Sequence, residues 1–281
     1  MSAPAVWITG AAGLIGHHLI QAAPPLPILP LTRAGLDLTD FRAVASRFRM
    51  DTPRAIIHCA GMTKTRECEA RPDLARQINV EATRHLAGLA TDVPFFFLST
   101  DLVFDGLKGN YREDDAVNPL NVYAETKVAA EAIVLANPKH SVIRISLNFG
   151  FSPSGDRSFN EEMLGRWRRG ESVKLFVDEF RGPIAAEVTA RVIWELLEKN
   201  RPGLYHLGGA EKMSRFDIGR CIASRHPQFS HLIEEARLED YRGARRPPDT
   251  SLNCGKIQSL LSFPLPGFSA WLKEQPSAQS A

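Results

Sequence analysis

Short apolar runs alternate with longer stretches of helical periodicity through the first half of the chain. The runs at residues 5–9, 28–32, 55–59, 95–99 and 141–146 have strand length. Between them, residues 41–48, 74–90 and 123–136 carry apolar positions at helical spacing, and a further helix opens at Leu14. Strands alternating with helices predict an α/β, Rossmann-type, doubly wound parallel sheet with helices on both faces. Strands buried on both faces read as continuous apolar runs, as Phe95-Phe96-Phe97-Leu98 does. Pro24, Pro25, Pro27 and Pro30 crowd the second strand. Proline cannot donate to the ladder, so this strand is expected to be short and to begin near Ile28.

Beyond Gly150 the pattern changes. A polar loop at 151–157 precedes a helix at 159–169, a strand at 173–177, a helix at 187–199 and a strand at 203–207. The remainder reads as helix and loop, with an irregular link at Arg245-Arg246-Pro247-Pro248 and a frayed tail at 275–281. The expected division is a dinucleotide-binding domain at 1–150 and 185–210, with a smaller C-terminal substrate-binding region at 151–184 and 211–281.

The 281 residues include 34 Lys and Arg against 32 Asp and Glu, a net charge of +2, which argues against a nucleic-acid partner. Four cysteines without CxxC spacing exclude a zinc ribbon or disulfide scaffold, and no HExxH pattern points to a metal. No apolar run is long enough to span a membrane, and the first residues do not read as a signal peptide. A cytoplasmic protein is expected, with room for a homodimer.

The glycine pattern carries the first chemistry. Gly10, Gly13 and Gly16 follow a predicted strand and open a predicted helix, with Leu14 and Ile15 between the last two. Such glycines permit a tight turn, close approach of a pyrophosphate and close packing of helix on sheet. The acid that would hold an NAD ribose is missing after the second strand, where Arg33 stands. An arginine there suits a 2′-phosphate, so NADP(H) is preferred and NAD(H) is the alternative. Asp37 and Leu38 are expected near the adenine.

Tyr123 and Lys127 are four apart at the start of a predicted helix, hence on one face. A nearby ammonium favours the phenolate and lowers the tyrosine pKa. Lys127 can also hold the nicotinamide ribose, while Tyr123 donates a proton to a carbonyl oxygen. Ser99 and Thr100 end the 95–99 strand, the end of an open sheet where ligands bind. A hydroxyl there can hold the same carbonyl.

These motifs, together with Ser-Thr-Asp-Leu-Val-Phe-Asp-Gly at 99–106, resemble the extended short-chain dehydrogenase/reductases, most closely the dTDP-4-dehydrorhamnose reductase-like branch. The resemblance implies Thr100, Tyr123 and Lys127 as the catalytic trio and Asp101 near the sugar. It implies that Cys59, Ala60 and Gly61 line the cofactor, that Ser146 borders the nicotinamide, and that Asn79 supports the site. Arg181 and Arg246 fall in family-like segments and are the candidates for substrate phosphates. The implied activity is NAD(P)H-dependent reduction of a keto group on a nucleotide-sugar. A sugar-nucleotide epimerase or dehydratase and a non-catalytic dinucleotide-binding regulatory subunit are the alternatives. The chain departs from the family pattern at Leu102, where tyrosine is usual, at Leu147, commonly aromatic, and at Ile184, usually threonine. The first two face the substrate in that branch.

Overall fold

The computed structural model describes residues 3–274. Its centre is a six-stranded, all-parallel sheet. Strands β1 (Val6–Thr9), β2 (Ile28–Leu31), β3 (Ala55–His58), β4 (Phe95–Thr100) and β5 (Ser141–Ile145) are joined by the strand Gly203–Leu207. The order runs from Gly203–Leu207 through β5, β4, β3 and β1 to β2. The winding reverses beside β1, and a crevice opens there at the carboxyl ends of the strands.

Alternation along the strands sorts side chains to two faces. Val6, Ile8, Ile57, Phe96, Leu98 and Ile143 pack under the helices Leu14–Gln21 and Ala186–Lys199, where Trp194 Nε1 donates to the Leu19 carbonyl at 2.9 Å. Trp7, Ile56, Phe95, Phe97 and Val142 face Val44, Leu86, Ala130 and Val134 from the helices Phe41–Asp51, Ala82–Leu89 and Val122–Leu135. Burial on both sides explains why these strands lack polar alternation. Strand β2 is an edge, and its Pro30 is exposed, so the missing N–H removes no central ladder bond.

The stretch expected as one helix at 74–90 is a composite. Pro72–Arg76 and Ala82–Leu89 are α-helical, but Gln77–Glu81 forms a π turn. The extra residue widens the helix where Asn79 turns toward the site. A helix at Thr65–Ala70 had no sequence signal. A third apolar cluster joins Phe149, Met163, Leu164, Trp167, Val173, Ile218 and Phe268. Beside it, Ile233–Ala236 pairs in parallel with Val173–Phe176. Ile257 and Leu265 instead pack on the central sheet. The tail expected at 275–281 lies outside the described residues.

Candidate active site

A cleft of about 970 Å³ opens over the carboxyl ends of β1 to β5. At one end lies the loop after β1. Gly10 has φ +67°, and a Cβ there would come within 2.7 Å of the Ala60 nitrogen. A Cβ at Gly16 would meet the Gly10 carbonyl oxygen at 2.3 Å. Both positions therefore exclude a side chain. Gly13 caps the helix Leu14–Gln21 without a side-chain acceptor, which leaves its first N–H groups for an anion. The loop fits a dinucleotide pyrophosphate: backbone alone forms the cradle, and the helix end points into it.

At the β2 side of the same cleft Arg33 is largely exposed, its guanidinium 3.8 Å from Asp37. Asp37 Oδ1 accepts from the Thr39 nitrogen and hydroxyl, which hold its carboxyl below the usual range. Leu38 borders the cleft beside it.

The floor is built on a buried hydrogen-bond chain. Thr83 Oγ1 donates to the Asn79 carbonyl and so accepts from His58 Nε2; His58 Nδ1 then accepts from Thr9 Oγ1 at 2.7 Å. Thr9 Oγ1 in turn receives the Ala60 N–H at 3.2 Å. Burial, with the Lys127 charge, pushes the His58 pKa down to about 3, in keeping with this neutral tautomer. The Asn79 amide binds both polar groups of Met62 and donates to Thr126 Oγ1 at 3.0 Å. It thus ties the Cys59–Gly61 loop to the helix that carries Tyr123. Burial pushes the Cys59 thiol up to about 12, so it is an inert wall of the cofactor half.

Asn121 caps the helix Val122–Leu135, accepting from Ala124 N at 3.0 Å, and its first turn carries Tyr123. Tyr123 is buried against Met62, Cys68, Ala75 and Leu102. Contrary to the lowering expected from Lys127, burial raises its pKa well above the ordinary value; a hydrogen bond from Thr100 pulls the other way, and Asp101 adds to the rise. One turn on, Lys127 Nζ donates to the Leu98 carbonyl at 2.5 Å and lies 3.8 Å over the Phe97 ring. Burial brings its pKa down to about 7, opposed by the Glu131 carboxylate.

Thr100 Oγ1 accepts from Leu102 N and approaches Asp101 Oδ1 at 3.3 Å. Ser99 borders the cleft, but its hydroxyl points to the other sheet face and donates to Glu131 at 2.5 Å. There Arg144 pairs with Glu131 at 2.8 Å and donates to His206 Nε2 at 3.3 Å. Asp101 is buried and receives the Thr250 and Ser146 hydroxyls at 2.9 and 3.2 Å, with Arg181 at 3.6 Å. Burial pushes its carboxyl up, against the pull of Arg181 and these hydroxyls.

At the far end Glu179 gathers arginines. Arg246 binds it with two nitrogens at 2.6 and 2.9 Å, and Arg181 at 3.0 Å. Against burial, Arg181 and Arg246 hold Glu179 down to about 2. Arg215 also borders this end. Leu102 and Leu147 make the cleft wall apolar where the family pattern has tyrosine and an aromatic residue.

The candidate site residues border this one cleft: Gly10, Gly13 to Gly16, Arg33, Asp37, Leu38, Cys59 to Gly61, Ser99 to Asp101, Tyr123, Lys127, Ser146, Arg181 and Arg246. Glu179, Arg215 and Thr250 were not anticipated. Glu179 lies inside the same family-like segment as Arg181, but Thr250 reaches Asp101 across 149 residues, which no local spacing reveals. Among the described residues no three His, Cys, Asp or Glu side chains cluster as a metal site requires, and no helix is long and apolar enough to cross a membrane.

Comparison with known proteins agrees with the fold. The chain is 29% identical to a dTDP-4-dehydrorhamnose reductase of Sinorhizobium fredii, over 93% of each chain. It is 31% identical to methionine adenosyltransferase 2 subunit beta of Pongo abelii, covering 91% of this chain and 82% of that protein. Among solved structures, the Bacillus anthracis dTDP-4-dehydrorhamnose reductase in complex with NADP superposes with a TM-score of 0.89 at 25% identity, covering 97% and 98% of the two chains. The RmlD substrate binding domain description matches residues 4–278. The chain belongs to the RmlD substrate binding domain family, within the extended short-chain dehydrogenase/reductases.

Proposed function

We propose that the chain is an NADP(H)-preferring reductase of a keto group on a nucleotide-sugar. The observation that carries this reading is the convergence of Thr100, Tyr123 and Lys127 on the cleft that begins at the glycine loop. The reductases among the relatives, one of them solved with NADP, support it. Arg33, exposed and only loosely paired with Asp37, is available for a 2′-phosphate.

Bound NADPH would supply the hydride that reaches the substrate carbonyl carbon. The chain's own groups handle the oxygen. The Tyr123 phenol, protonated at neutral pH and made more reluctant to ionise by burial, holds at Oη the proton that the developing alkoxide needs. Thr100 Oγ1, hydrogen-bonded to Tyr123, orients the carbonyl beside it. The Lys127 ammonium holds the ribose and stabilises the tyrosinate left after transfer, before solvent returns its proton. Arg181 and Arg246 border the substrate half, and Asp101, itself held by Ser146 and Thr250, lies near the sugar.

A second reading, a dinucleotide-binding subunit of another enzyme, draws on the methionine adenosyltransferase subunits among the relatives. Tyr123→Phe discriminates. The reductase reading predicts lost turnover with NADPH binding intact, and normal turnover in that variant would remove Tyr123 from the mechanism.

A further inference from the structure

The polar side chains around the reacting centre are engaged with one another. Asp101 meets the Thr250 and Ser146 hydroxyls at 2.9 and 3.2 Å, the Thr100 hydroxyl at 3.3 Å and Arg181 at 3.6 Å. Ser146 Oγ also accepts the Gly182 N–H at 3.1 Å. Arg181 turns Nε to Asp101 and Nη2 to Glu179, and its Nη1 donates to the Phe180 and Pro247 carbonyls at 2.9 and 3.4 Å. Asn121 accepts from Ala124 N and donates to the Arg245 carbonyl at 3.2 Å. Asn148 accepts from Thr189 at 2.7 Å and donates to the Ser146 carbonyl at 3.0 Å. All of these side chains but Thr250 and Thr189 belong to residues that border the cleft.

Beside Tyr123 the cleft offers apolar surface. Leu102 sits half-buried in the short turn Asp101–Val103 past β4 and packs in the cluster around Tyr123, together with Met62. Leu147 follows Ser146 past β5 and is also half-buried. Strands β4 and β5 are neighbours, with Thr100 paired to Ile145, so the two leucines stand past adjacent strand ends. Both border the cleft. A substrate hydroxyl turned toward either leucine leaves water and finds no partner there, whereas a C–H loses nothing.

In a 4-keto-6-deoxyhexose, C5 on one side of the ketone already carries a methyl. On the other side C3 carries a hydroxyl unless it too is deoxygenated. We infer that Leu102 and Leu147 select a nucleotide-linked 4-keto sugar with hydrogen in place of hydroxyl at C3, a 3,6-dideoxy-4-ketohexose. The inference rests on the nucleotide-sugar reductase reading and narrows its substrate class. The leucines set specificity, while the proton remains with Tyr123. An apolar wall disfavours an added hydroxyl by roughly 10–100-fold, so a preference is expected and not an absolute exclusion.

The test is kcat/KM for NADPH oxidation with 4-keto-6-deoxyglucose and 4-keto-3,6-dideoxyglucose, each as its dTDP and its CDP derivative. Each matched pair differs by a single hydroxyl. The full chain should prefer the dideoxy sugar roughly 10–100-fold on at least one nucleotide. Leu102→Asn and Leu147→Asn keep the branched shape and add a donor and an acceptor. Either variant should shrink that preference roughly tenfold, with NADPH affinity within about twofold of the parent, and each carries the test if the other fails to fold. Equal use of the two sugars, or preference for the hydroxylated one, overturns the inference and leaves the reductase reading standing. A dideoxy preference that neither variant alters overturns its assignment to the leucines. No oxidation with any of these compounds, by a chain that binds NADPH, overturns the reductase reading and the inference with it.

Discussion

Removing the Glu131 carboxylate probes how the helix Val122–Leu135 is held to β4. Glu131 and Arg144 are 4% and 5% exposed, and their closest approach is 2.8 Å. Arg144 directs three N–H contacts at Glu131, from Nε at 3.1 and 3.2 Å and from Nη2 at 2.8 Å. The Ser99 hydroxyl adds a fourth. In Glu131→Ala all four vanish, and Arg144 keeps only His206 and the Phe104 ring. Breaking one side of a buried pair costs about 3–5 kcal/mol, because the surviving charge is left uncompensated. At about 2–4 °C per kcal/mol for a chain of this size, the thermal midpoint should fall by roughly 6–20 °C. Glu131→Gln keeps one acceptor and should lose less. Replacing both partners by apolar residues, as in Glu131→Leu with Arg144→Met, should recover much of the loss, since the pair itself is nearly neutral overall. Urea unfolding at neutral pH measures all four proteins. A Glu131→Ala variant within about 1 kcal/mol of the parent would refute the claim that this pair is dry and coupled.

Other perturbations have defined outcomes. Gly16→Ala, whose Cβ would meet the Gly10 carbonyl, should weaken NADPH binding at least tenfold in a fluorescence titration, and unchanged affinity would show that the loop can give. Lys127 has a folded pKa of about 7, below its ordinary value, so the unfolded chain binds more protons above pH 7. Stability of the parent relative to Lys127→Met should therefore rise from pH 7 toward pH 10, and a flat difference would place the lysine in water. If the ammonium is the working form, kcat/KM should fall above about pH 7, and Glu131→Gln should move that limb to lower pH. Arg33→Ser should weaken NADPH binding roughly tenfold and leave NADH untouched; equal losses would contradict the 2′-phosphate assignment.

The sequence pattern carried far in the central sheet and less far beyond it. The strand ends expected at 28–32, 95–99 and 141–146 differ from those observed by a single residue, because strands buried on both faces leave continuous apolar runs that polar turns cut sharply. The glycine loop and the Tyr123–Lys127 pair were legible because their chemistry constrains local spacing. The π turn at Gln77–Glu81 was not, since an inserted residue leaves the apolar periodicity almost intact over one turn. Nor was the strand Ile233–Ala236, whose Glu234 and Glu235 are exposed and whose pairing with Val173–Phe176 is set by the surrounding cluster. The convergence of Arg181, Arg215 and Arg246 around Glu179 depends on segments far apart in the chain, so composition shows only scattered basic residues.

The most direct measurement is NADPH oxidation by the purified chain with a nucleoside-diphosphate 4-keto-deoxysugar, followed beside Tyr123→Phe. The account predicts substrate-dependent oxidation in the parent and none above background in the variant, with NADPH bound equally by both. Tight NADPH binding without oxidation, across a panel of 4-keto nucleotide-sugars, would contradict it and favour the binding-subunit reading.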